Sequence, residues 1–141
     1  MAEGVTEQPA PAIPEWGQPL SAWNATLWRT ATGSPMMRSA MTGLLLLDRT
    51  PDFVALVERM DRVTRAIPAL RERIVEPVGG IGQPRLVADP EFDLDFHLAH
   101  LALPAPGSWQ QLLGLVRRES MADLDRDRPL WRGTLISGSP D

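Results

Sequence analysis

The chain has 141 residues, a net charge of −4 and a pI near 5.1, with 43% hydrophobic and 23% charged residues. That balance bounds it to one domain with a modest core, and argues against a disordered chain, a membrane-spanning chain or a strongly basic nucleic-acid binder. It holds two histidines, no cysteine and no lysine, which excludes disulfide scaffolds, thiolate metal sites, Cys nucleophiles, lysine Schiff bases and a P-loop.

Residues 1–19 carry Pro9, Pro11, Pro14 and Pro19 and little apolar surface. Such a stretch cannot offset its ordering entropy, so a flexible Pro-rich leader is expected there. Met1 to Glu7 is acidic and lacks the apolar core of a secretory signal. The longest apolar run, Gly43 to Leu47, is too short to cross a bilayer. A cytoplasmic protein is expected, and Asn24-Ala25-Thr26 is read as a chance match to a glycosylation acceptor.

Ser21 has the chemistry of an N-cap, and Trp23, Leu27 and Ala31 follow at i+4 spacing towards Gly33, predicting a first amphipathic helix. Met36 to Leu47, with the run Leu44-Leu45-Leu46-Leu47, reads as a strand buried on both faces. Thr50-Pro51 opens a second helix, in which Phe53, Leu56, Val57, Met60, Val63 and Ile67 form one face until Pro68 ends it. Leu70 to Val78 is expected to start as a helical turn and finish as a strand. Gly79, Gly80 and Gly82 make a loop, and Arg85 to Ala88 a strand stopped by Asp89-Pro90.

From Glu91 the residues alternate: Phe92, Leu94, Phe96 and Leu98 against Glu91, Asp93, Asp95 and His97. This predicts an extended segment with one buried face, followed by a bulge or change of partner where the phase shifts to Ala99, Leu101 and Leu103. Ser108 and Gln111 form a capping-box pair, and Trp109, Leu112, Leu113 and Val116 form the stripe of another helix, to about Met121. Asp123 to Arg128 is a charged loop and Leu130 to Ser137 a last strand. Gly138-Ser139-Pro140-Asp141 is turn chemistry that implies a further strand beyond it.

No catalytic constellation emerges from these residues. His97 and His100, three apart in an extended segment, would point to opposite faces and cannot share a metal. Asp89, Glu91, Asp93 and Asp95 lack the glycine and glutamate spacing of a calcium loop and read as a solvated face. Asp123, Asp125, Arg126, Asp127 and Arg128 read as surface ion pairs. The Gly79–Gly82 loop has no phosphate-cradle spacing, and no serine stands in a nucleophile elbow.

Several strings, in order, are similar to the bacterial wax ester synthase/diacylglycerol acyltransferase family. They are Leu20-Ser21-Ala22-Trp23, Ser34-Pro35-Met36-Met37-Arg38-Ser39, Asp89-Pro90-Glu91-Phe92-Asp93-Leu94-Asp95-Phe96-His97-Leu98, Leu101 to Gly107, and Leu124-Asp125-Arg126-Asp127-Arg128-Pro129-Leu130-Trp131. The resemblance runs from Leu20 to about Ser137. It implies an α+β fold, the N-terminal part of a chloramphenicol-acetyltransferase-like lobe with a mixed sheet and packing helices, over residues 20–141. It also implies acyl transfer from acyl-CoA, as substrate, to the hydroxyl of a diacylglycerol or fatty alcohol, with no metal and no other cofactor.

The family's catalytic string, His-His-x-x-x-Asp-Gly, is absent here. His97 and His100 match other positions, so no catalytic residue is assigned in this chain. Asn24 stands where many relatives carry an acidic residue. Met41, Leu45 and Trp131 are the expected neighbours of a substrate channel, and Pro129-Leu130-Trp131 a structural motif. The expected partners are the C-terminal remainder of the enzyme, in cis or as a second chain, and the lipid substrates, which would bring the protein to a membrane or lipid-droplet surface. The competing expectation is a non-catalytic relative that binds lipid or a partner through an open sheet edge.

Overall fold

The computed structural model describes residues 17–33 and 40–138. The elements in chain order are β1 (Gln18–Pro19), α1 (Ala22–Gly33), α2 (Phe53–Ala66), β2 (Glu72–Val75), β3 (Arg85–Ala88), the one-turn α3 (Leu94–His97), β4 (Leu98–Ala102), α4 (Trp109–Met121) and β5 (Gly133–Ser137). A 3₁₀ turn, Pro68–Arg71, joins α2 to β2. The strands form two small sheets, an antiparallel β1-β3-β2 and a parallel β4-β5 pair.

Local chemistry accounts for most of these elements. Ser21 Oγ accepts from Asn24 N–H and caps α1 as expected. The cap of α2 is Asp52 rather than Thr50, its carboxylate accepting from Ala55 N–H, so Pro51 precedes the cap instead of opening the helix. Pro68 ends α2 and starts the 3₁₀ turn, since it offers no N–H to continue the ladder. Ser108 and Gln111 bond reciprocally as a capping box. Gly107 adopts φ 68°, and a Cβ there would collide with the Gly138 carbonyl; glycine lets the loop pass under the end of β5.

Several expectations fail. Residues 41–47 form no strand: Met41 is 97% and Leu45 82% exposed, and Leu44, Leu46 and Leu47 are exposed too. A strand buried on both faces needs a layer on each side, and none of the described elements covers this run. Residues 36–39 of that expected strand lie outside the described residues. Gln18 and Pro19, assigned to the leader, pair with Leu86 and Arg85; residues 1–16 lie outside the described residues.

The alternating segment is not extended along its length. Asp93 accepts from Asp95 N–H and caps the turn Leu94–His97, so the phase shift at Leu98 is the exit from a helical turn rather than a bulge. The last strand begins at Gly133, not Leu130, because Pro129 to Trp131 turns before entering the sheet.

Among the described residues the buried apolar core is small: Leu20, Ala25, Leu112 and Leu115, with Pro84 and Pro129. On α4 the inward stripe is Leu112 and Leu115, whereas Trp109 and Leu113 of the expected stripe are 44% and 56% exposed. The expected face of α2 is half-buried over Phe53, Leu56, Val57, Met60 and Val63, but its one fully buried residue is Thr64, and Ile67 lies exposed.

Candidate functional site

The loop and turn from Asp123 to Trp131 reach three separate parts of the fold. Arg126 lays its guanidinium 3.3 Å from the Trp28 ring centroid and donates to the Trp28 carbonyl oxygen at 3.0 Å, tying the loop to α1. Burial lowers the Arg126 pKa from its usual value, against the opposing pull of Glu76. Arg128 pairs with Asp89 at 3.4 Å and Glu91 at 3.5 Å, and donates to the Glu91 carbonyl oxygen, tying the loop to the turn after β3. Pro129 is buried, and Leu130 is 39% exposed. Trp131 donates its indole N–H to the Leu70 carbonyl oxygen at 2.8 Å, tying the loop to the 3₁₀ turn.

Trp131 also packs His97, which is 1% exposed. The imidazole lies between Trp131 and Phe92, with centroids at 4.5 and 5.3 Å and interplanar angles of 16° and 17°; Phe96 meets it edge-on at 5.2 Å. Its Nδ1 bonds the Trp131 carbonyl oxygen at 2.8 Å, so Nδ1 carries the proton. Nε2 is buried without a partner. His97 therefore holds the Trp131 main chain through Nδ1, with its Nε2 shut away from solvent.

The remaining expected residues fall into place around this centre. Asp89, read as solvated, is buried, with its side chain 2% exposed against Arg128, and also accepts from Glu91 N–H. Asp93 is a helix cap, while Glu91 and Asp95 are exposed as expected. Asp125 caps its own turn by accepting from Asp127 N–H. His100 is exposed, stacks on Phe53 at 5.3 Å and bonds Ser137 Oγ at 3.2 Å across β4 and β5. The two histidines do not converge. Among the described residues no group of three or more His, Asp or Glu could hold a metal ion. Trp131 is engaged in packing, whereas Met41 and Leu45 stand in solvent, and no contact brings these three together.

Sequence reasoning missed a network beneath the centre. Arg71 donates to Asp61 at 2.7 Å and to Thr64 Oγ1 at 3.0 and 3.1 Å, and covers the Phe92 ring at 4.7 Å. The hydrogen bond from Arg65 holds the Asp61 carboxyl below its usual range, with Arg71 adding to it and burial opposing. The available signal was a threonine at a core position of the α2 stripe: a buried hydroxyl there calls for a polar partner.

The family model described as the wax ester synthase/diacylglycerol acyltransferase catalytic domain matches residues 20–141. A Mycobacterium tuberculosis protein, provisionally named a diacylglycerol O-acyltransferase, is 35% identical over 115 residues, covering 82% of this chain and 23% of that protein. Another from the same organism, tgs3, with an equally provisional name of the same kind, is 36% identical over 124 residues, covering 84% and 44%. The solved wax ester synthase/diacylglycerol acyltransferase from Marinobacter aquaeolei VT8 superposes with a TM-score of 0.53 at 34% identity, over 67% of this chain and 24% of that one. The chain thus spans less than half the length of these relatives.

Proposed function

The chain belongs to the wax ester synthase/diacylglycerol acyltransferase family, and we propose that it forms the N-terminal part of a chloramphenicol-acetyltransferase-like lobe of an O-acyltransferase. The reaction is transfer of an acyl group from acyl-CoA to the hydroxyl of a diacylglycerol or fatty alcohol. This chain supplies scaffold to it. The observation that carries the reading is the Asp123–Trp131 segment, which bonds to α1, the turn after β3 and the 3₁₀ turn at once, and then leads directly into β5. Its Leu124–Trp131 string is one of those similar to the family's, and its work is to fix where β5 runs.

General base catalysis needs an imidazole free to take the acceptor's proton. His97 has its unprotonated Nε2 sealed from solvent among aromatic rings, and His100 is held on the sheet surface by Phe53 and Ser137. The base belongs to the His-His-x-x-x-Asp-Gly string, carried by the remainder of the enzyme in cis or on a second polypeptide. Met41 and Leu45 are proposed to face the lipid substrate only when that remainder is in place. Contact with a membrane or lipid droplet is proposed to be peripheral; among the described residues no helix is long and apolar enough to cross a membrane.

The test is release of CoA from acyl-CoA in the presence of diacylglycerol or a fatty alcohol. This chain alone should release none, and the chain joined to a segment bearing the catalytic string should turn over. Turnover by the chain alone would overturn the division of labour. A joined protein that binds lipid without turnover would favour the non-catalytic relative.

A further inference from the structure

β2 and β3 pair from Glu72 opposite Ala88 to Val75 opposite Arg85, and residues 76–84 join them as a tip. Gly80 N–H donates to the Pro77 carbonyl oxygen at 2.9 Å, within a 3₁₀ turn at Val78–Gly80. Gly79 and Gly80 take φ of 74° and 71°, which a side chain resists, and a Cβ on either would meet nothing within 4 Å. At the base of the tip, Arg29 of α1 bonds both legs: the Glu76 carboxylate at 3.1 Å and the Gly82 carbonyl oxygen at 2.7 Å. The turn is thus held out from the body by its own hydrogen bonds. On it Val78 is 100% and Ile81 86% exposed.

A turn needs no aliphatic side chains, and two of them raised into water cost free energy. Their exposure differs in origin from that of residues 41–47, which have no regular structure. The tip also carries no charge: between Glu76 and Arg85 every residue is Pro, Gly, Val, Ile or Gln. Glu76 beside it is paired with Arg29. No ionic group of the tip has to leave water when Val78 and Ile81 enter an apolar phase. Shape then selects the phase. A stable protein interface takes about 20–30 residues a side, and its energy centres on side chains seated in pockets. A convex tip with two aliphatic side chains has neither that area nor a concavity for a partner's anchor. A lipid surface requires neither, because it closes round what enters it.

We propose that the tip at residues 77–82 is a lipid-surface contact, with Val78 and Ile81 entering the boundary between headgroups and acyl chains while Arg29 braces the legs. This names the surface for the peripheral contact proposed above. It rests on that reading only for why the protein meets lipid; insertion itself needs no acyl transfer.

The chain has no cysteine, so Val78→Cys accepts a single environment-sensitive dye such as NBD. With phosphatidylcholine vesicles the dye at 78 should brighten and shift to the blue, and spin-labelled acyl chains should quench it. The same dye on Arg59→Cys, exposed on α2, should not respond. In vesicle flotation of the unlabelled chain, the double substitution Val78→Asp, Ile81→Asp should lower the partition constant about tenfold or more, since a carboxylate resists the apolar phase. Binding by the parent chain should survive high salt, because the contact is apolar. Leu45→Ser, Leu46→Ser, which alters the other exposed apolar run, should leave the dye response at 78 in place. Circular dichroism melting of each variant separates lost binding from lost folding. A silent dye at 78 overturns the proposal, and so do aspartate variants that float as well as the parent, the result expected if residues 41–47 carry the binding. In the joined enzyme, a dye at 78 already shielded before vesicles are added overturns it as well and assigns the tip to the remainder. No arm uses acyl-CoA, so failed turnover leaves the tip standing and a silent tip leaves the acyltransferase reading standing.

Discussion

The two most conspicuous stretches of the chain exchange the roles that hydropathy would give them. Residues 41–47, nearly all apolar, lie in solvent without regular structure. The charged strings around Asp89 and Arg128 are drawn inward, with the Asp89 side chain 2% and His97 1% exposed. The difference is one of partners. Leucines gain only from area removed from water, and nothing described here removes it. Asp89, Arg128 and Trp131 each find a directed bond, so burial costs them little, and His97 finds one for its Nδ1 while its Nε2 goes without. A charged string can nucleate a centre that an apolar run of the same length cannot.

That contrast breaks most sharply at Trp131. Trp131→Ala removes the ring on His97 and the bond to Leu70, and should lower stability by about 3–5 kcal/mol in urea unfolding. A loss below about 1 kcal/mol would mean the centre holds without its indole. Asp89→Asn comes next. It leaves Arg128 facing an uncharged partner at a buried position, at a cost of about 2 kcal/mol. His97→Leu should cost about 1 kcal/mol: the Trp131 carbonyl loses its donor, but the buried, unpartnered Nε2 goes with it. A stabilised His97→Leu would show that the imidazole costs more than its one bond returns.

The same contrast separates what could be read in the sequence from what could not. The capping box at Ser108, the α2 stripe and the Pro68 stop are local, and the residues that specify them are neighbours. The Leu94–His97 turn was hidden because four apolar residues at every second position mimic a strand, and Asp93 competes with that pattern through a side-chain bond of its own. The fate of Leu44 to Leu47 is settled by tertiary neighbours, to which pattern is blind. Of the expected site residues, Pro129 is buried, and Trp131 stacks on His97 and bonds the Leu70 carbonyl. The Arg71–Thr64–Asp61 network joins residues inconspicuous within the sequence.

The pH dependence sharpens the polar side of the comparison by a smaller amount. Arg65 and Arg71 depress the Asp61 pKa in the folded chain. The stability this gives is fully present above the ordinary carboxylate pKa of about 4 and is lost as the pH falls through the lower folded value. Asp61→Asn should therefore flatten the acid limb of the unfolding midpoint below about pH 4 and leave its neutral-pH slope unchanged. An unchanged acid limb would remove Asp61 from the account. The carboxylate is open to water, so the effect should be modest and should shrink with added salt.

The smallest effect belongs to the apolar side. Leu45 is 82% and Leu46 64% exposed, so the double substitution Leu45→Ser, Leu46→Ser removes almost no buried area. Stability of the chain should change by no more than about 0.5 kcal/mol. Binding of a hydrophobic dye such as ANS and any self-association should fall, because five large apolar residues within seven positions form a patch that water does not favour. A loss of several kcal/mol would show that the run is packed in solution, and would reverse the contrast from which these tests start. An unchanged midpoint with weaker dye binding would show that the leucines add nothing to this chain's own fold. Their contribution would then have to come from whatever covers them, and the joined enzyme is where the same two substitutions should cost turnover.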